Sequence, residues 1–114
     1  MNALEFFNAV SSDAEIPCRR GFWDIARCGK KPDTFFVWRL NGAQTQVNSD
    51  DGEEHFSRTY AVSVFTKSDD LESICEAVET AAEALGAEVR RVDFEDYEKD
   101  TGYFHGEITV TRYF

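Results

Sequence analysis

The segment Thr34–Leu40, with the sequence TFFVWRL, constrains the fold of this chain more than any other. It is dense in β-forming residues, and apolar side chains fall on both of its alternating faces. Strands of this composition are usually buried on both faces. The segment therefore predicts a central strand that is either covered on both sides, or covered on one side and placed at a subunit contact on the other.

A second strand is predicted over Phe56–Thr66, where apolar and polar residues alternate. The residues predicted for its apolar face are Phe56, Tyr60, Val62 and Val64, and those for its polar face are Ser57, Thr59, Ala61 and Ser63. About 15 residues separate the two predicted strands, whereas a hairpin connection usually has about 2–5. We therefore expect a long loop over residues 41–55.

Two helices are predicted. A short one spans Asn2–Ser11, with Asn2 as a possible cap, and its apolar side holds Leu4, Phe6, Phe7 and Val10. A long one follows Ser68, capped by Ser68 or by a capping box of Asp69 with Glu72, and ends at Gly86. Its apolar stripe consists of Leu71, Ile74, Val78, Ala81, Ala82 and Leu85.

A second hairpin is predicted from residue 87 to residue 114. In its first strand the step from Val89 to Val92 breaks strict alternation and predicts a bulge. In its second strand, Phe104, Ile108, Val110 and Phe114 share one face, and Tyr103, His105, Glu107 and Thr109 share the other. The sequence therefore predicts one α+β domain over residues 1–114. Its mainly antiparallel sheet of about four strands carries the long helix on one face, together with a short N-terminal helix and a long hairpin loop.

The charge of the chain excludes several functions. Its 22 acidic and 12 basic residues give a net charge of −10, which repels nucleic-acid phosphates and anionic lipids. The exceptions are an acidic wall that DNA slides past and an acidic surface that imitates DNA. No apolar run approaches the roughly 20 residues of a membrane span, and no signal peptide is predicted. Three cysteines, an odd number, favour reduced thiols in a cytosolic setting.

The stretch QVNSDDGEEHF, residues 46–56, is the densest group of carboxylates near a glycine. An EF-hand loop aligned on Gly52 places Val47 at its first position and Arg58 at its twelfth, where oxygen ligands are needed, so that motif fails. A looser cation site formed by Asp50, Asp51 and Glu53 stays open as an alternative. The favoured interpretation is a solvated loop that becomes ordered against a partner.

Other chemical sites have little support in the sequence. No pair among Cys18, Cys28, Cys75, His55 and His105 has zinc-finger spacing, and Cys75 lies near the apolar stripe of the long helix. The sequence has neither a nucleophile elbow nor a glycine-rich phosphate loop. We therefore expect a protein without enzymatic activity, cofactor or metal.

Basic residues concentrate in the segment CRRGFWDIARCGKKP, where they flank Phe22 and Trp23. They are Arg19, Arg20, Arg27, Lys30 and Lys31. On so acidic a chain, this positive edge is predicted to meet the acidic loop of a neighbouring subunit. The loop residues proposed for that contact are Asn48, Asp50, Asp51, Glu53, Glu54 and His55. In the alternative, Phe22 and Trp23 pack into the core and the charges are simply solvated.

From Thr34 to Phe114 the chain resembles a known family. The resemblance is seen in five successive segments: TFFVWRLN, a loop ending in SDDGEE, YAVSVFTKSD, a helix, and the closing DYEKDTGYFHGEITVTRYF. This order of motifs resembles that of the tail-terminator or tail-completion proteins of siphophage-type prophages. These proteins are also called minor tail or head–tail joining proteins. The resemblance implies an α+β fold with an extended loop and a homo-oligomeric ring, typically a hexamer. The ring would bind tail-tube and head-connector proteins, in the cytoplasm of a bacterial host and then in the virion.

An acidic binding module is the main alternative, in particular an inhibitor that mimics DNA and occupies the groove of a DNA-binding protein. Mimicry requires carboxylates spaced like phosphates along an exposed element. The long helix offers such a row in Glu72, Glu76, Glu79 and Glu83. The same residues also match an ordinary solvated helix face.

Overall fold

The computed structural model describes residues 1–47 and 54–114, and at 44–47, 54–55 and 93–96 it describes the backbone alone. Within the described residues the chain forms three helices and five strands. In chain order they are α1 Ala3–Ala14, β1 Cys18–Arg20, α2 Ile25–Cys28, β2 Thr34–Val47, β3 Glu54–Thr66, α3 Leu71–Ala84, β4 Glu88–Glu98 and β5 Tyr103–Tyr113.

The strands form one sheet in the order β1-β2-β3-β5-β4. β1 runs parallel to β2, and the other three neighbouring pairs are antiparallel. The α+β class is therefore confirmed, but the sheet is mixed, and it has five strands in the described residues rather than about four. The sequence missed β1 because a strand of three residues is too short to show a period of two.

The hairpin between β2 and β3 corrects the prediction of a long loop over residues 41–55. Residues 41–47 continue β2, and Glu54 already pairs with Val47. A shift in register at Asn41, between the pairs of Leu40 and Gly42, lets the strand continue past its apolar part. The extension is polar, so it lacks the apolar alternation by which a half-buried strand is recognised.

The N-terminal helix α1 has the predicted cap. The Asn2 side chain accepts a hydrogen bond from the Glu5 amide at 2.8 Å, and the Glu5 carboxylate accepts one from the Asn2 amide at 3.0 Å. Phe6, Phe7 and Val10 are buried as predicted, but Leu4 is exposed. At roughly 100° per residue, Phe6 and Val10 centre the buried stripe away from Leu4. With 12 residues, α1 is also almost as long as α3, which has 14.

Helix α3 buries most of its predicted stripe, with Leu71, Val78, Ala81 and Ala82 in the core. Leu85 is the exception, because it follows the last helical residue and is partly exposed. The helix begins later than predicted: Asp70 is its N-cap and makes no side-chain capping bond. Gly86 has the positive φ of +90° that suits the end of a helix.

The main core lies between the two long helices and one face of the sheet. Phe7 of α1 stacks on Trp38 of β2, with ring centroids 4.6 Å apart. The even-numbered residues Tyr60, Val62 and Val64 of β3 reach the same core, as predicted from their alternation. Gly106 of β5 lets α3 lie close, because a Cβ there would meet the Cys75 sulfur at 3.0 Å.

The opposite face of the sheet is covered by a smaller second core. Phe35 and Val37 of β2 contact Trp23 and Tyr103 there. The segment 21–33, which connects β1 to β2, supplies Trp23. The central strand predicted over Thr34–Leu40 is therefore covered on both sides along residues 35–38, as in the first alternative drawn from the sequence.

The predicted irregularity of β4 is confirmed by two shifts in register against β5, one between Arg91 and Asp93 and one between Asp93 and Asp96. Among the described residues, no helix combines the length and the apolar character needed to cross a membrane.

Candidate functional site

The basic segment folds into an edge strand followed by a one-turn helix. β1 places Arg19 and Arg20 at the edge of the sheet, where both are exposed. The Asp24 side chain caps α2 by accepting a hydrogen bond from the Ala26 amide at 3.0 Å. The turn thus started carries Arg27, which is also exposed.

Arg19 is held in place by three contacts. Its guanidinium carbon lies 4.5 Å from the centroid of the Trp23 ring. Its Nε donates to the Cys28 sulfur at 3.1 Å, and its Nη1 donates to the Cys18 carbonyl at 2.7 Å. None of the three partners is a carboxylate, so the contacts orient the guanidinium without pairing it with an acidic side chain.

We call the surface formed by Arg19, Arg20, Phe22, Asp24, Arg27 and Cys28 the basic surface. These six residues line one hollow of about 360 Å³. Phe22 is 68% exposed at its rim, and Ile25 in the adjoining helix is 61% exposed. Trp23 is instead buried, and its indole N–H donates to the Gly29 carbonyl at 3.0 Å. The alternative in which both aromatic residues pack into the core is therefore right for Trp23 and wrong for Phe22.

A second hollow, of about 430 Å³, adjoins the basic surface and shares Phe22 with it. Its aromatic residues are Trp23, Phe35, Phe65 and Tyr103, and its charged ones are Lys31, Arg39 and Glu98. The sequence did not single out Arg39, although it alternates with Phe35 and Val37 and so shares their face. Lys30 lines neither hollow.

The five predicted basic residues are unpaired within the part of the chain that the structure describes. Arg19, Arg20, Arg27, Lys30 and Lys31 make no ion pair there, whereas Lys67 and Arg91 do. Unpaired charges beside exposed apolar side chains are typical of a contact surface.

The acidic loop cannot be placed against this surface. Asn48, Asp50, Asp51 and Glu53 lie outside the described residues, as does the alternative cation site of Asp50, Asp51 and Glu53. Glu54 and His55 lie in β3, where the backbone alone is described. The contact between this loop and the basic edge therefore stays a prediction.

A polar cluster lies on the face of the sheet opposite the long helices. Ser63 Oγ donates to Glu107 Oε1 at 2.8 Å, and His105 Nε2 lies 2.7 Å from the same oxygen. The imidazole stacks on Phe65 at 4.4 Å. The Ser63 hydroxyl therefore donates to a carboxylate and not to His105, unlike the serine of a catalytic Ser-His pair.

Two of the three thiols are buried. Burial raises the pKa of Cys75 from its ordinary value of 9.0 to about 11, and it also raises the pKa of Cys18. Both therefore stay protonated at neutral pH and are poor nucleophiles. Among the residues whose side chains the structure describes, no three His, Cys, Asp or Glu side chains gather into a group that would hold a metal ion.

The acidic row predicted on α3 is partly neutralised. Arg91 of β4 donates through Nε to Glu79 at 2.6 Å, and its Nη1 lies 3.7 Å from Glu72. Glu76 and Glu83 remain exposed on the same helix.

Neither a protein-family model nor a curated protein matches the chain, so comparison with known proteins assigns no function to these surfaces.

Proposed function

We propose that this chain is a structural neck protein of a tailed phage or prophage, which caps the tail tube and joins the tail to the head. It acts through contacts between subunits arranged in a ring. The proposal starts from the resemblance of the segment Thr34–Phe114 to tail-terminator and tail-completion proteins. The basic surface is the observation that carries it further, since exposed Phe22 and unpaired arginines suit a contact with an acidic subunit.

The long hairpin also supports a role in assembly. β3 pairs with β5 from Ser57 onward, whereas β2 and β3 continue together to the pair of Val47 with Glu54. In the described residues, this hairpin end extends three residue pairs beyond the part of β3 that β5 flanks. An extension of this kind is suited to reach a neighbouring subunit, a tail tube or a head connector.

The charge of the chain is consistent with a ring around DNA. A lumen lined by carboxylates lets DNA pass without persistent phosphate contacts, because like charges repel. The proposed partners are therefore copies of this chain, tail-tube proteins and head-connector proteins, with no specific nucleic acid.

The proposal is tested by measuring solution mass by light scattering over a wide range of protein concentration, followed by co-sedimentation with purified tail tubes. We expect a closed assembly of about six copies of the 13.0 kDa chain, or a monomer that sediments with tubes. A chain that stays monomeric and does not bind tubes would overturn the proposal.

The alternative of a DNA-mimic inhibitor has less support. Mimicry needs an uninterrupted row of carboxylates, and Arg91 contacts two of the four glutamates in the candidate row. The remaining pair, Glu76 and Glu83, is what a solvated helix face ordinarily carries.

A further inference from the structure

We infer that the basic surface of one copy docks into the groove between α1 and α3 of a second copy. The inference rests on the proposed function, because it names the partner of the contact by which the ring would form. In this contact the acidic partner of the basic surface is the groove between α1 and α3, in place of the acidic loop predicted from the sequence.

The positively charged half of the contact is the basic surface with Ile25 beside it. Residues 18–31 hold five of the 12 basic residues of the chain and a single carboxylate, Asp24. Phe22 and Ile25 are the large apolar side chains most exposed in this segment. Aromatic residues and arginine dominate the energetics of protein interfaces, since both bury a large area and retain directional contacts.

The receiving half is a groove of about 530 Å³ between the two long helices. Ala77, Ala81 and Ala84 of α3 line it, and their small side chains leave room for a phenyl ring. Two carboxylates flank it, Asp13 near the end of α1 and Glu76 on α3. Among the described residues, neither Asp13 nor Glu76 forms an ion pair with a cation of its own chain.

The two halves are opposite in charge, and each has an apolar part. One presents an exposed ring between arginines, and the other presents an alanine-lined groove between carboxylates. Because they are different patches of one chain, their contact is heterologous and repeats from subunit to subunit. A closed ring follows if the rotation between subunits closes.

Charge reversal on each half tests the inference. The first variant is R20E/R27E, which reverses the basic surface and keeps Arg19 on Trp23. The second is D13K/E76K, which reverses the two carboxylates that flank the groove and keeps the pairs of Arg91 intact. Arg90→Glu with Lys99→Glu is the control, because it changes the net charge by the same amount as R20E/R27E, and both residues are exposed and lie outside the two halves.

We expect each variant alone to weaken self-association at least tenfold, measured by light scattering or sedimentation, while the control stays within about threefold of wild type. An equimolar mixture of the two variants should regain assembly. In a ring where the two variants alternate, the reversed surface of one variant meets the reversed groove of the other, and the unchanged surface meets the unchanged groove. Every contact then joins opposite charges. Phe22→Ala should weaken association without changing any charge, and unfolding curves check that all variants stay folded.

Three results would overturn the inference: variants that assemble like wild type, variants that fail to recover on mixing, or a wild-type chain that is monomeric at every concentration. The proposed function fails on a different measurement, the binding of tail tubes. A wild type that caps tubes while R20E/R27E does so equally well would refute this contact and leave the function standing.

Discussion

The two faces of the sheet are both covered, but by different means. On one face, two long helices bury Phe7, Trp38 and Tyr60 almost completely. On the other, the connection 21–33 supplies Trp23, and the core there holds four buried residues, namely Trp23, Phe35, Val37 and Tyr103. The helical face thus carries most of the apolar burial, and with it most of the stability. The other face borders the basic surface and its adjoining hollow, whereas the groove that we infer to receive this surface lies between the two long helices.

This contrast has a physical basis in the connections. α1 and α3 run for 12 and 14 residues and each presents a continuous apolar stripe to the sheet. The connection 21–33 contains one helical turn and anchors itself mainly through Trp23. Because this connection is short, it leaves neighbouring side chains such as Phe22 exposed. This face of the sheet is therefore available for contacts with a partner.

The largest effect is expected from Phe7→Ala, on the helical face. Phe7 is fully buried and stacks on Trp38, so its loss should lower the free energy of unfolding by about 3–5 kcal/mol. Urea unfolding measures this. Leu4→Ala in the same helix, at an exposed site, should change stability by about 0.5 kcal/mol or less. Similar losses for the two variants would contradict the placement of α1.

Trp23→Ala tests the other face and should lower the free energy of unfolding by about 3 kcal/mol, the low end for a large aromatic residue, because the segment that it anchors is short. Trp23→Phe is the control, since it keeps a ring against Phe35 but loses the hydrogen bond to the Gly29 carbonyl, worth about 1 kcal/mol. Both are measured by the same unfolding experiment. A loss for Trp23→Ala equal to that for Phe7→Ala would mean that the two faces contribute alike.

Stability should fall at high pH because of Cys75, a buried residue of α3 on the helical face. Its folded pKa of about 11 lies above the ordinary 9.0, so between these values the unfolded chain binds fewer protons than the folded one. The contribution of Cys75 to the free energy of unfolding is fully present below pH 9. It is lost as pH rises toward 11, by at most about 1.4 kcal/mol per pH unit. Unfolding free energies measured from pH 8 to 11 give this slope. Cys75→Ala should reduce it, whereas Cys28→Ala, which leaves Cys75 in place, should not.

The smallest effect is expected from Gly106→Ala, where α3 lies closest to β5. The added Cβ would meet the Cys75 sulfur at 3.0 Å and a Leu71 methyl at 3.6 Å, a crowding that should cost about 1 kcal/mol. A double-mutant cycle with Cys75→Ala sharpens the test, because removing the sulfur should relieve the cost of the new methyl group. Additive losses would show that the close approach is not what Gly106 permits.

Sequence alone located the basic residues of the candidate site but not their arrangement. Clustering in the chain identified Arg19, Arg20 and Arg27, and all three line one hollow. It could not tell that Phe22 is exposed while Trp23, the next residue, is buried. Two adjacent aromatic residues in an irregular segment have no period from which a buried face can be inferred.

The sequence by itself determined the class of the fold, the positions of α1 and α3, and most of the inward faces of β3 and β5, because local periodicity records which side chains face a core. Only the tertiary structure decided the rest. The parallel pairing of β1, the continuation of β2 and β3 along the hairpin, and the meeting of Arg39 with the segment 21–31 all depend on residues distant in the chain. No local pattern encodes them, since hydrogen bonds between strands and contacts between faces form only when the chain is folded.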